Sequence, residues 1–355
     1  MSRFLSYAYN GLTPYTPGEQ PADMAQLVKL NTNENPFPPA PGVIRALNSD
    51  AVRSLRLYND PTAAKLTAAM AVAYGLQPQQ VFFGNGSDEV LALAFMAFGT
   101  NGLSFADITY GFYPVLAGLY RLYANIIPLH SDFTLHVEDY DGTEGAVVIA
   151  NPNAPTGIAL PVADVEALLQ KNRNRLVIVD EAYVDFGGES AVPLIEQYDN
   201  LLVVGTFSKS RSLAGARLGY ALGSAALIAD LNRIKFSFHP YNVNALTQAA
   251  GTAALEDKIY FEACCTEVAA LREYLAGELK QLGCKVLPSK ANFLFVNPVC
   301  MTGEEFFTIL RHNKILVRHF DDARIADFVR ISVGTKDDMD LLIKICKKIF
   351  KDIQS

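Results

Sequence analysis

Three short runs constrain this chain more than anything else in it: AVVIA at 146–150, LVIVD at 176–180 and LLVVGTF at 201–207. Each is an unbroken stretch of mostly β-branched and leucine residues without polar alternation, so each predicts a strand covered on both faces. Residues 162–172, between the first two, are spaced as a helix. Strand–helix–strand is the rhythm of a parallel sheet with helices on both sides. Upstream, the same alternation predicts a helix over 87–98, a strand over 102–108, a helix over 112–123 and an extended segment over 125–129. The first 40 residues or so, with NTNENPFPPAPG among them, read as irregular.

Past residue 250 the pattern changes. A long helix is expected over 257–282, followed by KVLPSKANFLFV, a helix near 302–312, the strand-like runs KILVRHF and DFVRISV, and an amphipathic helix over 336–351. The expected fold class is α/β: a large domain with a mostly parallel sheet covered by helices, plus a smaller α+β C-terminal domain. The division reads as an N-terminal arm and small-domain segment over 1–40, a large domain over 41–250 and a small domain over 251–355. A length of 355 residues, more than one core usually supports, agrees with it.

Charge and composition remove several function classes. Thirty Lys and Arg against 37 Asp and Glu leave a formal charge of −7, a field unsuited to nucleic acid or anionic lipid. No apolar run approaches the roughly 18 residues of a membrane span. MSRFLSYAYN holds no apolar stretch before a cleavage site, so no signal peptide and a cytoplasmic location are expected. The five cysteines include no C-x-x-C and the five histidines no H-E-x-x-H, so free thiols and no metal are expected.

In open α/β sheets, ligands bind beyond the carboxyl ends of the strands. After LVIVD comes Glu181-Ala182-Tyr183; after LLVVGTF comes Ser208-Lys209; after AVVIA comes NPNAPTG; and after the VFF of 81–83 comes GNGSDE, opening a helix. Taken singly, each has a plain structural role. Ser87 or Asp88 can cap the helix, Asp180 can cap a turn, and Lys209 and Arg217 can be solvated. Taken together they supply a phosphate cradle at a free helix N-terminus, an amine nucleophile, an isolated carboxylate and rings at Tyr110, Phe112 and Tyr113. A phosphorylated pyridine aldehyde needs that set.

In order, LNTNENPF, GNGSDE, NPNAPTG, VDEAY, TFSKSRSLAGARLGY and VRISVG resemble the motifs of fold-type I aminotransferases that use pyridoxal 5′-phosphate. LTPY at 12–15 points within them to the histidinol-phosphate aminotransferase family. The resemblance spans residues 10–335, and S-K-x-x-x-L-A-G-x-R-x-G is its most specific part. It implies that Lys209 bonds the cofactor's aldehyde and moves protons, that Asp180 pairs with the ring nitrogen, and that Tyr183 hydrogen-bonds the phenolic oxygen. It implies stacking by Tyr110 and phosphate contacts from Gly86, Ser87, Asp88, Ser208 and Arg217. Tyr58 is similar to a tyrosine that reaches the phosphate from a partner subunit, which implies a homodimer. Arg330 resembles the arginine that binds the substrate's anion, and Arg318, Tyr15 and Asn33 sit where other substrate contacts fall. Where the family carries Asn before Pro-Thr-Gly, this chain has Ala154, so Asn153 is the candidate for that cofactor contact.

The implied reaction moves an amino group between L-histidinol phosphate and 2-oxoglutarate or glutamate, in histidine biosynthesis. Inside the same fold, an aromatic amino-acid aminotransferase and a threonine-phosphate decarboxylase are the alternatives. Outside it stand a cofactor-sensing regulator, whose DNA-binding segment is not expected in the few residues ahead of the motifs, and a nucleotide-binding protein without this cofactor.

Overall fold

The three constraining runs lie side by side in one sheet. In the computed structural model, which describes residues 2–21 and 27–354, the strands are β1 (Val28–Lys29), β2 (Val81–Gly84), β3 (Leu103–Ala106), β4 (Ala124–Ile127), β5 (Ala146–Ala150), β6 (Val177–Asp180), β7 (Leu201–Thr206), β8 (Gly219–Gly223), β9 (Lys285–Val286), β10 (Phe293–Asn297), β11 (Ile315–Leu316), β12 (Arg318–His319) and β13 (Val329–Ser332). Residues 22–26 of the expected arm lie outside the described residues. The large sheet runs β2-β8-β7-β6-β5-β3-β4 and is parallel except at β8, which is antiparallel to both neighbours.

Successive side chains of a strand point to opposite faces. Val147, Ile149, Val177, Val179, Leu201 and Val203 therefore enter one core, and Val148, Ile178, Leu202 and Val204 the other. Fully burying such a side chain is worth about 1.5–3 kcal/mol. That explains why these runs carry no polar alternation. The register places Ala150 beside Asp180 and Asp180 beside Val204, so the carboxyl ends of β5, β6 and β7 open level with one another.

The later part of the chain forms a four-stranded antiparallel sheet, β12-β13-β10-β9, packed on helices Lys258–Gln281, Gly303–His312 and Lys336–Gln354. The N-terminal segment joins it through β1, which pairs with β11. KILVRHF is not one strand. It splits at Val317 into β11 and β12, which belong to different sheets. Helix Ala245–Glu256 runs across residue 250 and packs on helices Pro41–Ala46 and Ala64–Tyr74 of the large part. Among the described residues, no helix is long and apolar enough to cross a membrane.

Candidate active site

Asp180 ends β6 at the mouth of a cavity of about 230 Å³. Its side chain is 5% exposed; Oδ2 accepts a hydrogen bond from the Tyr113 hydroxyl at 2.8 Å and Oδ1 one from the Ala182 amide at 3.1 Å. Burial pushes its pKa up to about 6 despite both donors. Tyr113 is fully buried and packs edge-on to Tyr110, with ring centroids 5.6 Å apart.

Lys209 follows β7 and reaches the same cavity. Its Nζ donates to the Thr32 carbonyl at 2.9 Å. Burial, aided by the positive charge of Arg330, brings its pKa down to about 8. Asn35 holds the lysine's backbone, its Nδ2 donating to the carbonyls of Lys209 and Ser210 at 3.0 and 3.3 Å. The NENP stretch, irregular in sequence, thus fixes where the amine sits.

The helix Ser87–Phe98 begins at the cavity wall, Gly86 preceding it at φ 82°. The first-turn amides of Ser87 and Asp88 have no carbonyl ahead of them to bond. The Gly86 amide is already spent on the Gly84 carbonyl. The Asp88 carboxylate accepts from Tyr110 at 2.8 Å and pairs with Arg217 at 3.0 Å, and Arg217 also reaches Ser208 Oγ at 3.4 Å. Arg217, at φ 54°, holds the left-handed conformation that turns its guanidinium toward that helix.

A second set of cations comes from the small sheet. Arg318 on β12 and Arg330 on β13 line the same cavity, and both guanidinium carbons lie over the Phe320 ring at 5.7 and 5.6 Å. The Nε of Arg330 is buried with no hydrogen-bond partner among the described residues, while its Nη2 donates to the Asn31 carbonyl at 3.1 Å. Tyr15 enters from the N-terminal segment, its ring 6.2 Å from that of Tyr110.

Lys209, Asp180, Tyr183, Tyr110, Ser87, Asp88, Ser208, Arg217, Arg330, Arg318, Tyr15 and Asn33 therefore converge on one cavity. Three candidates, Gly86, Asn153 and Tyr58, do not line it. Asn153 turns away. Its Nδ2 bonds the Ile108 carbonyl and Thr156 Oγ1, both at 3.0 Å, and it lines a neighbouring hollow instead. The small Ala154, just before Pro155-Thr156-Gly157, lines the cavity instead. Tyr58 lies 85% exposed, stacked on Tyr241 at 4.7 Å. Asn33 reaches the cavity wall with its amide committed to Tyr183 and Ser332. Sequence reasoning missed Tyr113 as the partner of Asp180. Its place in the first turn of helix Phe112–Tyr120, three residues after Tyr110, was the available signal.

Comparison with known proteins shows the family and the fold. Residues 25–345 match the family described as aminotransferase class I and II. A histidinol-phosphate aminotransferase of Chromohalobacter salexigens is 51% identical over 351 residues, covering 98% of this chain and 99% of its own. One from Clostridium botulinum is 45% identical over 355 residues, covering 99% and 100%. The crystal structure of a histidinol-phosphate aminotransferase from Sinorhizobium meliloti in complex with pyridoxal 5′-phosphate superposes with a TM-score of 0.83 at 25% identity, over 92% of this chain and 91% of the other.

Proposed function

Because the chain belongs to the class I and II aminotransferases, we propose that it transfers an amino group between L-histidinol phosphate and 2-oxoglutarate, with pyridoxal 5′-phosphate as cofactor. The observation that carries this reading is the meeting, in one cavity, of a buried amine and a buried acid with two anion stations. One station is built on the large sheet by Arg217 and a helix N-terminus, the other on the small sheet by Arg330 and Arg318.

The residues fit the cofactor. A Cβ on Gly86 would run into the Arg217 guanidinium, so glycine keeps the phosphate cradle open. Asp180, buried and short of a cationic partner, is suited to a pyridinium nitrogen. Bound there, pyridoxal 5′-phosphate supplies a sink for the electron pair left when the substrate's Cα–H bond breaks. Lys209 Nζ, which lines the cavity, would hold the cofactor's aldehyde carbon and is the amine that would accept the substrate's Cα proton. With a pKa of about 8, roughly a tenth of the free amine is neutral at pH 7. A positioned base contributes about 10²–10⁴-fold. Tyr110 would cover one face of the ring and Tyr183 would direct its hydroxyl at the phenolic oxygen, since both line the cavity. Arg330 and Arg318 hold the phosphate of one substrate and the carboxylate of the other in turn, since a guanidinium fork accepts either.

The same reading makes the enzyme a cytoplasmic homodimer. The exposure of Tyr58, outside its own chain's cavity, supports that reading. It also divides the chain after helix Ala245–Glu256 rather than within it. The test is half-reaction spectroscopy of the cofactor-loaded protein with histidinol phosphate, phenylalanine, tyrosine and threonine phosphate. Fastest loss of the cofactor's visible band with histidinol phosphate is expected. A faster reaction with an aromatic amino acid, or CO₂ release from threonine phosphate, would replace the assignment.

A further inference from the structure

The segment Asn31-Thr32-Asn33 threads between β13 and the cofactor residues. On one side it is stitched to β13: Ser332 N donates to the Leu30 carbonyl at 3.0 Å and Arg330 Nη2 to the Asn31 carbonyl. On the other side it holds Lys209 through the Thr32 carbonyl and Tyr183 through Asn33 Nδ2, 3.0 Å from the phenolic oxygen. Asn33 has φ 55°, a conformation few non-glycine residues adopt, and Asn is among those that tolerate it best. Asn33 and Ser332 are 1% and 2% exposed. Asn292 fixes the Asn33 carbonyl from a third direction, its Nδ2 donating at 3.0 Å.

Counting protons gives this cluster a direction. Ser332 has one hydroxyl proton. Its Oγ accepts the Asn33 backbone N–H at 2.9 Å, and its proton goes to Asn33 Oδ1, also at 2.9 Å. With Oδ1 occupied, the amide can present only its NH₂ to Tyr183. The Tyr183 oxygen then accepts, and its own proton points into the cavity. The reversed amide would set Oδ1 against Tyr183, draw that proton away from the site and leave the Ser332 proton without its acceptor.

We propose that Ser332, on the strand that carries Arg330, is a positioning residue that locks the Asn33 amide and thereby aims the Tyr183 hydroxyl proton at the cofactor's phenolic oxygen. The proposal rests on the aminotransferase reading above. A hydrogen bond donated to that oxygen favours the deprotonated chromophore, so losing it raises the pH at which the bound cofactor's absorbance changes.

The experiment is a spectral pH titration of the cofactor-loaded protein without substrate. Tyr183→Phe is expected to raise the midpoint by about one pH unit or more, the size of one lost charge-assisted hydrogen bond. Ser332→Ala is expected to move it at least half as far in the same direction, and Ser332→Thr, which restores the hydroxyl, to stay near the original value. If Ser332→Ala does not yield folded protein, Ser332→Cys, similar in size but a weak donor, takes its place. A Ser332→Ala midpoint equal to the original, or equal shifts for Ala and Thr, would overturn the proposal while leaving the Tyr183 assignment intact. No shift in Tyr183→Phe would remove both.

Discussion

Removing the Tyr113 hydroxyl tests how the buried acid is tuned. In Tyr113→Phe the ring stays, wedged against Phe95, Phe105 and Tyr110, and one 2.8 Å hydrogen bond to Asp180 Oδ2 is lost. That bond pulls the Asp180 pKa down against burial, to about 6. A hydrogen bond to a charged group is worth about 1.5–3 kcal/mol, and about 1.4 kcal/mol is one pKa unit, so the variant's acid moves up to roughly 7. At pH 6 the ionised fraction falls from about one half to about one tenth, roughly fivefold. At pH 8.5 both proteins are almost wholly ionised and the difference nearly vanishes. If only the ionised acid pairs with the cofactor's ring nitrogen, the ratio of wild-type to variant affinity for pyridoxal 5′-phosphate follows the same course. Equilibrium dialysis at the two pH values reads it directly, and in the ratio the titrations of the cofactor and of Lys209 cancel. A ratio that does not change between pH 6 and 8.5 would show that Tyr113 does not act through the ionisation of Asp180.

Two further outcomes are expected. Arg330→Ala removes the cation proposed to serve both substrates, so both half-reactions should weaken by about 10-fold or more, the worth of a charge-assisted contact; an effect confined to one substrate, seen in single-turnover kinetics, would refute shared recognition. Glu181 is pushed up to about 8 by burial, against the hydrogen bonds it accepts from Ser190 and the Ala191 amide. Its folded pKa lies above its unfolded value of 4.5, so the native state binds the extra proton between pH 4.5 and 8 and stability is lost as pH rises through that window. Glu181→Gln, which mimics the protonated acid, should gain stability relative to wild type from pH 5 to pH 8 in urea melts of the cofactor-free protein. An unchanging difference would contradict that account.

Much of this arrangement is legible in the amino-acid order. The helix expected over 87–98 spans Ser87–Phe98, and AVVIA is β5 from end to end. Both are continuous apolar patterns bounded by glycine or a polar turn, so local chemistry decides them. The strand GYALG escapes notice because its glycines weaken the strand pattern and its apolar character is short. Here pairing with β2 and β7 overrides propensity. KILVRHF divides because its two halves find partners 287 residues away and 10 to 12 residues away, β1 and β13, and no local pattern encodes that choice. At the site, the residue types after each strand mark out the cavity in which they meet. The bonds Tyr113 to Asp180 and Ser332 to Asn33 join positions 67 and 299 residues apart and emerge only once the sheets are assembled. Asn153 shows the converse: the right residue type, one position off, with its amide turned into the loop that holds it.

Borohydride reduction of the cofactor-loaded protein, followed by peptide mass mapping, goes most directly to the central claim. One peptide is expected to gain the mass of the reduced vitamin, at Lys209, and Lys209→Ala should take up no label and lose the visible band. Labelling at any other lysine, or an unlabelled Lys209 in protein that holds the cofactor, would contradict it.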